Sequence, residues 1–203
     1  DPDQYAAMLE QDRPAAPSAK QIAFFMAQEA RTNQGYEELK VLPGNIRYVN
    51  LVNFLWMGDT PQAVTDAARF MGGGDAVIID LRENHGGTPD AVRAIVSYFL
   101  PPDHRLLMTY HDSVTGETET SRVTDKLAAP RMVGKPLYVL TSGSTGSAAE
   151  EFAYHIKNFK LGTLIGEPTA GAANNDSITP VAPGFVISTS TGRPAMRRPM
   201  RPS

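Results

Sequence analysis

Two short runs, Ala76-Val77-Ile78-Ile79-Asp80-Leu81 and Pro136-Leu137-Tyr138-Val139-Leu140-Thr141, are almost continuously apolar and bounded by turn residues. A strand that alternates apolar and polar residues covers one face of a core, whereas an unbroken run of this length reads as a strand buried on both faces. Such strands need helices packed against them. Each run is followed by a Gly-containing junction and then by an amphipathic stripe. The pattern predicts an α/β fold around a central, mostly buried sheet.

The helical stripes are explicit. Thr60-Pro61 offers a cap and a proline at the first helical position, and Val64, Ala67, Ala68 and Met71 follow at i, i+3, i+4 and i+7 until Gly72-Gly73-Gly74 ends the helix. Thr88-Pro89 repeats the cap chemistry ahead of Val92, Ile95, Val96 and Phe99. A third stripe runs through Ala149, Phe152, Ala153 and Ile156. Residues 46–51 alternate as a half-buried strand after a VLPG turn, and residues 163–166 are a further apolar strand. Two inserted β-hairpins are expected. One pairs residues 106–111 with 118–123 near Thr115-Gly116, and the other pairs 177–181 with 185–190 across Ala182-Pro183-Gly184.

The flanks differ from this core. Residues 1–40 are polar, Ala-rich and interrupted by proline, with one helix expected over 18–31, and read as an N-terminal helical arm or the remnant of a preceding domain. Residues 41–192 form the expected core domain. The last twelve residues, GRPAMRRPMRPS, hold three prolines and four arginines, and 193–203 are expected to be a disordered tail.

Composition excludes several function classes. Without cysteine there is no disulfide, thiolate metal site or cysteine nucleophile. A net charge of −3 with scattered basic residues gives no nucleic-acid footprint. No run approaches the roughly 18 apolar residues of a membrane span, and the N-terminus does not read as a signal peptide. No histidine pair has metal-site spacing, and GEPTAGA lacks the Gly-Lys-Ser/Thr ending of a P-loop, so no cofactor is expected. Oligomeric state is not legible.

Chemistry concentrates at the two strand-to-helix junctions, Asp80-Leu81-Arg82-Glu83-Asn84-His85-Gly86-Gly87 and TSGSTGSAAEEF from Thr141 to Phe152. The carboxyl ends of strands in α/β sheets are where sites are built, so both junctions are expected to line one crevice. Gly86-Gly87 lets backbone N–H groups approach a ligand at a helix start, where negative charge is favoured; a plain Gly-rich turn is the competing reading. Asp80, Arg82 and Asn84 are expected to fix that loop. Ser147, with Glu150 three residues on, fits a capping box. The same position also suits a nucleophile, because the Ala148 N–H would point at the oxygen that becomes negative. The two readings share one geometry. His104 and His111 read as surface residues, and His85 as a solvent-facing loop residue or a substrate contact. His155, eight residues after Ser147 on the same helix, lies roughly 12 Å away at 1.5 Å per residue, beyond hydrogen-bond reach.

In order and spacing, VLPGNIRYVNL, AVIIDLRENHGG and YVLTSGSTGSAAEEFAYHIKNFKLGTLIGEPTAGAAN resemble the tail-specific (carboxyl-terminal processing) serine peptidases. The branch they most resemble holds the tricorn core and the modules of interphotoreceptor retinoid-binding protein. The resemblance covers about residues 40–192. It implies a crotonase-like or Clp-protease-like fold of ββα units, peptide-bond hydrolysis through an acyl-enzyme, and a peptide or unfolded protein as substrate. It also implies export to a periplasmic or extracellular space. Ser147 matches the family nucleophile, the Ala148 N–H one oxyanion donor, and the Gly86-Gly87 turn the other.

One departure matters. Where processing peptidases carry the base lysine in a block like GEPTFGK, this chain has Ala172. The histidine and glutamate patterns of the tricorn-like branch, SHDKHL upstream and NWEGVG downstream, are also missing, which implies a truncated or frame-changed chain with little activity of its own. The alternative expectation is a non-catalytic module that binds an apolar ligand or peptide in the same crevice.

Overall fold

The computed structural model describes residues 19–56, 59–113, 116–172, 174–182 and 185–195. Helix α1 (Ala19–Arg31) and a short 3-10 turn lead into β1 (Tyr36–Leu42), β2 (Ile46–Leu51), α2 (Gln62–Gly72), β3 (Ala76–Asp80) and α3 (Pro89–Ser97). The first hairpin follows as β4 (Leu106–Asp112) and β5 (Thr118–Arg122). Then come β6 (Leu137–Thr141), α4 (Ala148–Asn158), β7 (Thr163–Gly166), β8 (Asn175–Ala182) and β9 (Phe185–Ala195). The expected α/β fold is present.

Five strands make the central sheet, in the order β1-β2-β3-β6-β7, parallel except for the β1–β2 pair. The two apolar runs are β3 and β6, side by side at its centre and flanked by β2 and β7. Val49, Leu51, Val77, Ile79, Leu137 and Val139 share one fully buried face, which packs in the same core as Val64 and Met71 of α2, Val92 and Ile95 of α3, and Phe152 and Ile156 of α4. Burial on both faces is not what these runs achieve. Ile78 is only half-buried and Tyr138 is 39% exposed on the opposite face. An apolar side chain there tolerates partial exposure, so continuity of the run overstated its burial.

Both hairpins form, and they also join. β4 pairs antiparallel with β9, Thr109 opposite Ala195 and Asp112 opposite Gly192, to give a second sheet in the order β5-β4-β9-β8. β9 therefore runs three residues past the boundary at 192 drawn from sequence, and 196–203 lie outside the described residues. At the other end, β1 begins at Tyr36, inside the stretch read as an arm. Tyr36 is buried and the strand pairs with β2, while its Glu-Glu-Leu-Lys segment faces mostly solvent, as an edge strand can. Ser18, the expected start of α1, lies outside the described residues.

The two Thr-Pro starts differ. Thr88 caps α3, its hydroxyl accepting from the Ala91 N–H at 3.3 Å with Pro89 at the first turn. Thr60 does not cap α2. Pro61, extended at φ −60° and ψ 153°, takes the cap position and offers only its carbonyl, which accepts from Val64 and Thr65.

Candidate active site

The loops after β3 and β6 are stitched together. Thr145, fully buried, donates its hydroxyl to the Leu81 carbonyl at 2.8 Å, and Ser142 donates to the Arg82 carbonyl at 2.5 Å. The Gly146 N–H donates to the Asn84 carbonyl at 3.0 Å. Both junctions thus meet at one place, as their positions at strand ends required.

Asp80, Arg82 and Asn84 fix the first loop. The Arg82 guanidinium lies 2.6 Å from Asp80 Oδ2, and the Tyr48 hydroxyl donates to that same oxygen at 2.8 Å. Burial would raise the Asp80 pKa, but the Arg82 and Tyr48 hydrogen bonds outweigh it and hold the carboxyl below its ordinary range. Burial, with the bond to Asp80, pushes the Tyr48 phenol up to about 12. Asn84 has no exposure; its amide donates to the Leu51 carbonyl at 2.8 Å while its oxygen accepts the Gly86 N–H at 2.9 Å.

That last bond separates the two glycines. The Gly86 N–H is committed to Asn84, so Gly86 is not a free donor. Its φ of +114° and its missing side chain instead allow close approach, because a Cβ there would lie 2.6 Å from Ser147 Cβ and 3.0 Å from the Ala148 nitrogen. Gly87, at φ +150°, lies against the backbone of Phe54, and among the described residues neither its N–H nor that of Ala148 has an acceptor. Gly87, Ser147 and Ala148 line one cleft of about 1040 Å³.

Ser147 sits at the start of α4 with φ +48° and ψ −121°. An ordinary N-cap is extended, and a non-glycine residue with positive φ is strained. The surroundings hold it there. Its carbonyl accepts from the Glu150 and Glu151 N–H groups at 2.9 and 3.1 Å, and its own N–H donates to Glu150 Oε2 at 3.0 Å. The residue is exposed at the cleft.

Glu150 does more than the capping box foretold. Its carboxylate is buried, with Oε2 also accepting the Ala172 N–H at 2.8 Å and Oε1 the Gly171 N–H at 2.7 Å. One side chain ties Ser147 to the backbone of the loop that carries Ala172. Spacing along the chain supplied the local half of this arrangement; the partners at 171 and 172 are 21 and 22 residues away and left no local signal.

The histidines do not complete a nucleophile. His85 and His111 are exposed, and His104 is exposed and paired with Asp125 at 3.0 Å. His155 is buried with its Nε2 on Glu151 at 3.2 Å. Among the described residues, no histidine or lysine side chain bonds to Ser147, and no group of His, Asp and Glu side chains could hold a metal ion.

Comparison with known proteins adds to this geometry. The family model for "Peptidase family S41" matches residues 45–197. The chain is 30% identical over 121 residues to a carboxyl-terminal-processing protease of Synechocystis sp., an alignment covering 60% of this chain and 27% of that one. A Bacteroides fragilis structure assigned to the S41 proteases superposes with a TM-score of 0.66 at 22% identity, over 79% of this chain and 46% of that one. The photosystem II D1 C-terminal processing protease gives 0.56 at 22% identity, over 76% and 39%. The chain therefore spans about a quarter of that curated relative and under half of either structure.

Proposed function

The chain belongs to peptidase family S41, and from that premise we propose that it is the core of a serine-type peptidase that hydrolyses peptide bonds through an acyl-enzyme on Ser147. The observation that carries the reading is the strained backbone of Ser147 beside two N–H groups, of Ala148 and Gly87, that have no acceptor among the described residues.

In this mechanism a peptide lies in the cleft with its carbonyl carbon at Ser147 Oγ. The Oγ–C bond forms as the hydroxyl proton passes to a base, and the carbonyl oxygen takes the negative charge toward the Ala148 and Gly87 N–H groups. Collapse breaks the C–N bond, the amine leaves with the proton, and water then cleaves the ester to free the enzyme. Ala172 supplies no base and no described histidine or lysine bonds to Ser147, so this reading assigns the base to a group outside the described residues. The fit to peptides is supported by the size of the cleft, about 1040 Å³, whose wall includes Gly87, Met108 and Leu164 beside Ser147.

A fluorophosphonate probe tests the assignment. The chain by itself is expected to react slowly or not at all, and a longer version carrying the base is expected to label at Ser147 and to lose labelling on Ser147→Ala. A longer version that binds peptides unchanged by Ser147→Ala, and never hydrolyses them, would make the cleft a binding module instead.

A further inference from the structure

Glu151 plays no part in the steps above, yet it is held as a functional group would be. Its side chain is 11% exposed and lines the same cleft as Ser147, one helical turn away. Oxygen Oε1 accepts from the Tyr110 hydroxyl at 2.6 Å and from His155 Nε2 at 3.2 Å. Oxygen Oε2 takes no hydrogen bond from any described residue and is not sealed from solvent.

The supporting groups serve this carboxylate. Tyr110 reaches it from β4, in the other sheet; burial and then the Glu151 charge push the phenol well above its ordinary range, so it remains a donor. His155 has no exposure, and its buried Nδ1 has no partner among the described residues. The proton therefore sits on Nε2, since the other tautomer would bury an unpaired N–H and turn a lone pair toward the carboxylate. Stacking on Phe159, with centroids 5.8 Å apart, fixes the ring. A half-satisfied buried polar cluster costs stability compared with apolar side chains at the same places. Both donors lie on one oxygen, which leaves the other without a partner among the described residues. Met108, Ala153 and Leu164 line the same cleft and give it apolar wall, which suits the aliphatic stem of a long cationic side chain. Lys157 also borders the cleft, but it is exposed and forms no ion pair with Glu151.

We infer that Glu151 is a specificity-determining residue, whose Oε2 receives the ammonium or guanidinium of a lysine or arginine side chain adjacent to the peptide bond held at Ser147. The inference rests on the peptide reading of the cleft. A charge-assisted hydrogen bond in a partly open site is worth about tenfold in affinity.

Fluorescein-labelled oligoalanine peptides, each with lysine or its uncharged isostere norleucine at one central position, test it by anisotropy on the Ser147→Ala protein, which keeps peptides intact. The lysine peptide is expected to bind about tenfold tighter at one position, with the advantage shrinking at high salt and vanishing in Glu151→Gln. Tyr110→Phe, which keeps the charge but removes one support, is expected to reduce the advantage partially. Equal binding of the two peptides, or a lysine preference that survives Glu151→Gln, overturns the inference and leaves the peptidase reading standing. No binding of either peptide overturns both. If Glu151→Gln does not fold, equal binding of the lysine and norleucine peptides still overturns the inference, and a lysine preference left undiminished by Tyr110→Phe does so too.

Discussion

Gly86 and Ser147 lie so close that a Cβ on the glycine would sit 2.6 Å from the Cβ of the serine. The β3 loop and the start of α4 are therefore packed backbone against side chain, and the room at Ser147 is set by what residue 86 lacks. Gly86→Ala is expected to cost about 1–3 kcal/mol, from the clash together with the strain of φ +114° in a residue with a side chain. Thermal denaturation measures this cost. Unchanged stability would show that the two loops separate easily.

Glu150→Gln replaces one of two oxygens by a donor. Three backbone N–H groups, from Ser147, Gly171 and Ala172, now share a single acceptor, and at least one faces an NH₂ group. A destabilisation of about 2–3 kcal/mol is expected, typical of a lost hydrogen bond to a buried charged group. Amide hydrogen exchange should rise at 171 or at 172, because one of those N–H groups loses its acceptor whichever way the amide turns.

The Asp80 cluster predicts behaviour at both ends of the pH scale. Since the folded carboxyl titrates below its ordinary value near 4, its contribution is complete above that value and is lost as pH falls through the folded one. Tyr48 works in the opposite sense. Its folded pKa is raised to about 12, so its contribution is present below about 10 and disappears as pH climbs toward 12. Urea midpoints measured across pH should therefore fall on both flanks, and Asp80→Asn should flatten the acid flank.

Phe152 of α4 has no exposure, and its ring meets that of Phe54 with centroids 5.7 Å apart. Phe54 in turn pairs with Gly87. Phe152→Ala should cost about 3–5 kcal/mol and loosen Gly87 from below. Phe152→Leu, which keeps most of the volume, should lose far less in the same denaturation series.

What could be read in advance follows the range of each interaction. The apolar runs, the Thr88 cap and the helix stripes depend on neighbours within a few residues, and they were legible. So was the convergence of the two junctions, because strand ends in parallel sheets share an edge. Tyr36 in β1 was missed because its strand is an edge whose polar residues resemble a loop. The β4–β9 pairing joins residues eighty or more positions apart, and no local pattern records it. At the site, spacing nominated Ser147, Ala148 and the glycine pair, but choosing Gly87 over Gly86 needed the Asn84 side chain. Glu151 looked like an ordinary helix residue, since what sets it apart is Tyr110, 41 positions earlier in the chain.

The pairing of β4 with β9 also imposes a timetable on synthesis. The five-stranded sheet is complete in sequence once Gly166 has been made, so the helix bearing Ser147 can dock early. β4 must wait with only β5 beside it until residues 192–195 leave the ribosome. During that interval its other edge is an open template of unpaired N–H and carbonyl groups, the place where a nascent chain of this design is most exposed to mispairing.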